Sequence, residues 1–292
     1  MEARGDPGLE AAIRAIEAWR GRDIGVTPMS AGTDERRFVV EAGGEAFTLR
    51  LTTPTSTRPL ADLMNEVDVV RAAAAVGVAP EVIAFLPQLG CLVTRSVPGR
   101  RLTASDADVP GVLASVVGSV RALHACPIPA VERSVFRDAD ELRRAAHARG
   151  ASMPKTESDA TEAMRRIEAA IGARARRAVA CHGNLTLENV FLDDERVWIV
   201  DYRRAGAADA FEDLGSIAAH LGLTEERTDE LLALYFGAVD DRSRCDLVLA
   251  RAAADFLAAM RSLAHPAVVT NMQTVEGRLA GVTAAAARAG AM

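Results

Sequence analysis

Between Cys181 and Tyr202 the chain reads CHGNLTLENVFLDDERVWIVDY, and the side chains there that can do chemistry are His182, Asn184, Asn189 and Asp201. Two short apolar runs, NVFL and VWIV, flank the polar turn DDER, which predicts a β-hairpin. Asn189 stands six residues before Glu195 and Asp201 six after it. With Glu195 as the centre the two lie opposite each other, Cα atoms about 4.5–5.5 Å apart. An amide oxygen and a carboxylate at the open end of a hairpin suit Mg2+, which takes few protein ligands and fills its octahedron with water and phosphate oxygens. Asn184 lies five residues before Asn189, in a loop that His182 opens. Loops held by rigid strands are where reactive groups are presented. His182 reads either as a base or as a buried histidine that props this loop. Asp193 and Asp194 read as solvated turn residues.

The elements that must position these groups follow from changes of hydrophobic period. Leu9, Ile13, Ile16 and Trp19 have helical spacing, predicting an opening helix from Leu9 to Arg20. RRFVVEAGGEAFTLRLT predicts two strands joined through Gly43-Gly44, with Phe47, Leu49 and Leu51 on one face and Thr48 and Arg50 on the other. LADLMNEVDVVRAAAAVGVAPEVI returns to helical spacing and stops at Gly77. CLVTRSV is a further short strand, closed by Pro98-Gly99. After it come a strong helix in VPGVLASVVGSVRALHAC, two helices between Glu132 and Ala178, and helix from Phe211 to the end. A small β-rich half thus precedes a larger helical half, with a hinge near Arg95 to Gly99.

These residues resemble the aminoglycoside phosphotransferase and choline kinase-like enzymes, relatives of the protein kinases. His182, Asn184, Asn189, Asp201 and Tyr202 match that family's H-x-D-x-x-x-x-N, hairpin, D-[WFY] pattern, with Asn184 in place of the Asp. The likeness continues through DYRRAGAADAFEDLG, includes RALHACPIP and MNEVDVVRAAAAVGVAPEVI, and runs from about Met29 to Gly215. It implies an α+β, bilobal protein kinase-like fold: an N-terminal lobe over 1–96 with one C-helix, and a helical lobe over 97–292. It also implies ATP or another nucleoside triphosphate with Mg2+, a small-molecule acceptor, and Asn189 and Asp201 as metal ligands. Arg50 takes the place of the phosphate-pairing base and Glu66 that of the C-helix acid that pairs with it. Ser30, Gly32 and Thr33 would cover the phosphates with backbone N–H groups. Arg95, Ser96 and Val97 would lie at the hinge that receives the base.

In the family the loop Asp takes the proton of the acceptor hydroxyl. Asn184 keeps the shape and can accept a hydrogen bond through its amide oxygen, but it cannot take the proton. General-base catalysis is typically worth about 3–5 kcal/mol, whereas phosphoryl transfer rests mainly on alignment and charge stabilisation. The expectation is a weakened small-molecule kinase, with a nucleotide-binding pseudokinase as the alternative. Glu188 is the nearest substitute base.

Charge narrows the partners. A net charge of −6 argues against a general affinity for nucleic acid. Arg203-Arg204 beside the metal site would favour an anionic or neutral acceptor, or else pair with Glu212 and Asp213. Aromatic residues are only 4% of the chain, too few for a quaternary-ammonium cage to be legible. Four scattered cysteines without metal spacing read as reduced thiols, and no run approaches the ~20 apolar residues of a membrane span. The cytoplasm is the expected address.

Overall fold

The computed structural model describes residues 6–29, 35–53, 56, 58–173, 177–194, 196–265 and 271–290. Ser30, Gly32 and Thr33 lie outside the described residues. Asp6 starts the first helix, α1 (Pro7–Ala15), by accepting the backbone N–H groups of Gly8 (3.0 Å) and Leu9 (3.1 Å). The helix expected to reach Arg20 leaves α geometry at Ile16 (ψ 106°) and resumes as a 3-10 turn over Glu17–Trp19. The break turns Ile16 and Trp19 inward together with Leu9 and Ala12.

Strands β1 (Ile24–Pro28), β2 (Glu35–Ala42) and β3 (Glu45–Thr52) follow. Gly43 and Gly44 have φ of 62° and 81°, the left-handed pair that a two-residue hairpin turn demands. Helix α2 (Leu60–Ala75) ends before Gly77, and β4 (Val82–Leu86) and β5 (Cys91–Arg95) complete an antiparallel sheet in the order β1-β2-β3-β5-β4. Two of these strands escaped the sequence. Strand β1, IGVTP, sits at an edge, where Gly and Pro are tolerated, and β4 was merged with the tail of α2. Phe47, Leu49 and Leu51 pack with Trp19, Leu9 and Ile16 of the opening segment, so α1 covers one face of the sheet. Arg50 points from the other face toward Glu66 of α2.

The chain crosses through β6 (Arg100–Arg101) into α3 (Val112–His124), α4 (Val135–Ala148) and α5 (Glu157–Gly172). Short strands β7 (Ala178–Cys181), β8 (Val190–Leu192), β9 (Val197–Ile199) and β10 (Gly206–Asp209) carry the chemistry, and α6 (Ala210–Leu221), α7 (Glu225–Phe236), α8 (Asp241–Ala264) and α9 (Met272–Gly290) follow. Strand β6 pairs with β8, β8 with β9, and β10 with β7. Val69, Val70 and Ala73 of α2 share one core with α3, α6 and the β8–β9 hairpin, so the helix of the small lobe is seated on the large one. A second core joins α4, α5, α8 and α9. No helix among the described residues is long and apolar enough to cross a membrane.

Helices α6 and α8 touch backbone to backbone. A Cβ on Gly215 would lie 2.5 Å from the carbonyl carbon of Ala250. Gly215→Ala should therefore destabilise the protein by about 1–3 kcal/mol through overpacking. Gly118→Ala, on an exposed turn of α3 with open space around it, should stabilise by about 0.4–1 kcal/mol. Urea unfolding of the two variants checks both signs.

Candidate active site

The loop between β7 and β8 is held by one carboxylate. Asp213, fully buried in α6, accepts the backbone N–H groups of His182 (Oδ2, 2.7 Å) and Gly183 (Oδ1, 2.9 Å), and its Oδ2 lies 3.0 Å from Nε2 of His124. Burial alone would raise the pKa of Asp213, but the hydrogen bonds and nearby histidines outweigh it and hold the group below the usual carboxylate range. Gly183 has φ 70°, and a Cβ there would meet the carbonyl oxygen of Arg204 at 2.4 Å, so no side chain fits. His182 is wholly buried. Its Nε2 donates to the carbonyl of Val200 (3.0 Å) and its Nδ1 accepts from the N–H of Asn184 (3.3 Å). Both ring nitrogens are engaged, one by the end of β9 and one by the loop, which is the arrangement of a buried histidine that props the loop. Glu188, the suggested substitute base, is solvent-exposed.

The expected register of the hairpin is off by one. Val190 faces Ile199, Phe191 faces Trp198 and Leu192 faces Val197. Continued outward, that ladder puts Asn189 beside Val200, whose N–H donates to the Asn189 carbonyl at 2.9 Å. The cause is the turn, which closes between Asp193 and Arg196 and so has no single central residue. Asp193 accepts the backbone N–H of Arg196 and the indole N–H of Trp198, each at 2.7 Å, so it is a turn cap and not merely solvated. Asp201 falls just past the strand, with φ 67°. Asn189 donates through Nδ2 to the carbonyl of Asn184 (2.9 Å), which leaves its Oδ1 for a cation.

Around Asp201 gathers a cluster of guanidinium groups that the sequence only half revealed. Arg50 reaches Glu66 (2.5 Å) and Glu35 (3.3 Å), with Asp201 at 3.8 Å. Arg58 takes the second oxygen of Glu66 (2.6 Å). Arg203 grips Asp201 with Nε (2.6 Å) and Nη2 (3.0 Å), and Arg37 adds a bond at 2.8 Å. Arg37 and Arg203 also contact Glu35. Desolvation by itself would push the Asp201 pKa up, yet Arg203, Arg37 and Arg50 drive it far below the carboxylate range. Arg37, Arg58 and Glu35 were missed. Their one sequence signal is that Arg37 and Arg50 face each other across β2 and β3, where like charges require an acid between them. Arg203 and Arg204 do not pair with Glu212 and Asp213. Arg203 holds Asp201 and Glu35, and Arg204 holds Asp138 (3.1 Å).

An amide oxygen and an ionised carboxylate are the right donors for a hard dication. The Asp201 oxygens, however, accept from arginines in this structure, so a metal ion would need Arg203 and Arg37 to yield. At the hinge the Arg95 side chain turns outward, paired with Glu45 and Glu81. The Arg95 backbone N–H goes to Glu81 (2.9 Å) and that of Ser96 to Ala46 (3.0 Å), with half-buried Val97 next in line.

Below the loop lies a cleft lined by Gly183, Asn184, Thr186, Val135, Glu212, Ser216, His220, Leu257 and Arg261. Arg261, from α8, donates to the Oδ1 of Asn184 at 2.5 Å. The amide oxygen expected to accept an acceptor hydroxyl is thus already taken, and Asn184 presents its Nδ2 instead.

A strand-borne arginine paired with a helix acid, poised over a loop at the junction of two lobes, marks a protein kinase-like fold. Comparison with known proteins gives the family. The model of the phosphotransferase enzyme family, APH, matches residues 25–248, and the chain belongs to that family. It is 31% identical over 175 residues to streptomycin 3''-kinase of Streptomyces griseus, a match covering 53% of this chain and 64% of that protein. A choline/ethanolamine kinase family protein from Mesorhizobium loti superposes with a TM-score of 0.75 at 25% identity, covering 95% of this chain and 93% of the other. LicA in complex with AMP superposes with a TM-score of 0.74 at 11% identity, covering 94% and 98%.

Asp213→Asn should cost about 3–5 kcal/mol by leaving buried donors without their charged partner. Because the folded pKa of Asp213 lies below its unfolded value, the stability it lends is present above that unfolded value and lost as pH falls. Urea unfolding at neutral and at acid pH should show a smaller difference in the variant than in the wild type.

Proposed function

We propose that this protein is an ATP-dependent small-molecule kinase. The observation that carries the reading is the convergence of the Arg50–Glu66 pair, Asp201 and the Asn184–Asn189 loop at the junction of the two lobes. In the transfer an acceptor hydroxyl oxygen bonds to the γ-phosphorus of ATP, the bond from that phosphorus to the β-bridging oxygen breaks, ADP leaves, and the hydroxyl proton passes to solvent. The lobes divide near residue 96, with the base of ATP, or of another nucleoside triphosphate, against the Arg95–Val97 backbone. Ser30, Gly32 and Thr33 would cover the phosphates. Arg50, oriented by Glu66, binds them, and Arg37 and Arg203 turn from Asp201 toward them as they arrive.

Asn189 through Oδ1 and Asp201 through its carboxylate would hold Mg2+, which supplies positive charge to the phosphate oxygens when bound. The donor set supports this assignment, and the excess of guanidinium groups supports a polyanionic guest. Asn184 contributes position and a hydrogen-bond donor, and no base. That feature favours the second reading, a nucleotide binder without transfer. The names of the relatives support hydroxyl-bearing small molecules as acceptors.

Two measurements separate the readings. ATP with Mg2+ should raise the melting temperature, and Arg50→Met should remove most of that shift. Asp201→Asn should lower ATP-to-acceptor transfer by at least about 100-fold while retaining ATP binding in the absence of Mg2+. ATP binding in the wild type without transfer to any acceptor would establish the binder.

A further inference from the structure

The cleft beneath Asn184 has an unusual charge. Arg261 is half-buried and makes no ion pair among the described residues; it donates to the neutral amide of Asn184. The nearby carboxylate of Asp138 is engaged by Arg204 at 3.1 Å. Burial and the like charge of Arg204 push the Arg261 pKa down to about 10, outweighing the opposing pull of the Asp138 and Asp201 carboxylates, neither of which pairs with it. An Asp at position 184 would neutralise Arg261 in place, and Asn leaves its charge over.

The other polar groups of the cleft point the same way. With Oδ1 committed to Arg261, Asn184 offers an N–H donor. Glu212 accepts the N–H of Val135 through Oε2 (3.1 Å), and burial beside Asp213 pushes its pKa up to about 8, which favours its protonated, hydrogen-bond-donating form. His220 donates through Nδ1 to the carbonyl of Ser216 (2.8 Å) and Ser216 donates to Leu185 (3.0 Å), which leaves His220 Nε2 and Ser216 Oγ as acceptors for hydroxyl groups. Donors gathered around an unpaired guanidinium, with two hydroxyl acceptors beside them, match a polyhydroxylated anion.

We infer that the acceptor pocket takes a small hydroxylated molecule bearing an anionic group, bound by Arg261 and Asn184 next to the hydroxyl that is phosphorylated. The inference rests on the kinase reading for the fate of that hydroxyl. The anion site itself can be tested without turnover.

Thermal-shift titrations at neutral pH would compare gluconate and glucose 6-phosphate with uncharged glucitol and with cationic glucosamine, choline and streptomycin. The anions should raise the wild-type melting temperature, gluconate alone if the fork of Arg261 selects a carboxylate, and the neutral and cationic probes should not. Arg261→Met should lose the anion shift and keep the ATP shift. Asn184→Asp should supply the missing anion internally, raising the melting temperature by about 2 °C or more only where Arg261 is present, and it should abolish the gluconate shift. Equal shifts from glucitol, larger shifts from the cations, or an Asn184→Asp variant no more stable than wild type would overturn the inference. If Arg261→Met does not fold, the single Asn184→Asp variant and the wild-type probe series still decide. Absence of any ATP shift in the wild type would instead count against the kinase reading, with the anion arms still readable.

Discussion

One buried carboxylate sets the geometry of the whole site. Asp213 is surrounded by protein on every side and accepts from two consecutive backbone amides of the loop and from His124. Left unpaired in that environment, any of these polar groups would carry a desolvation penalty of roughly 1–3 kcal/mol. The loop therefore has one arrangement that satisfies them all, and it is the arrangement that presents Asn184 to the cleft. His182, pinned between Val200 and Asn184, carries the constraint onward to the end of β9. Gly183 allows the close passage of the Arg204 carbonyl. Position of the loop is thus fixed by α6.

The second constraint is electrostatic and joins the lobes. Arg37 and Arg50 come from the small sheet and Asp201 from the large lobe, while Arg58 donates to the carbonyl of Arg203 (3.0 Å) and Asn65 to that of Ala205 (2.8 Å). Buried ion networks of this kind add little net stability, because desolvation offsets much of the Coulombic gain. Their effect is on orientation. They define how α2 sits on the large lobe, with four guanidinium groups gathered around three carboxylates.

Much of the fold was legible in the sequence because its signals are local. Gly43-Gly44, the period of α2 and its stop before Gly77, and the alternation of β3 each specify their element within a few residues. The opening helix was overextended because a single inward turn at Ile16 leaves the helical spacing of Leu9, Ile13 and Ile16 unchanged. The hairpin was placed correctly but its register was not, since a two-residue and a three-residue turn differ in sequence by very little and the Asp193 cap decides between them. In the site, Arg50 and Glu66 could be placed by resemblance to relatives. Arg37 and Arg261 could not, because each gains its role from a partner far along the chain: 164 residues separate Arg37 from Asp201, and 77 separate Arg261 from Asn184.

Asp201 is the one non-glycine residue among those described whose backbone adopts a left-handed φ. That conformation costs most L-residues about 1–2 kcal/mol, and Asn, Asp and Gly tolerate it best. The backbone thus limits what mutational drift can install here. A descendant of this protein that lost the acid could keep the loop intact by changing to Asn or Gly, whereas a branched side chain would deform the bend between β9 and β10 along with the charge.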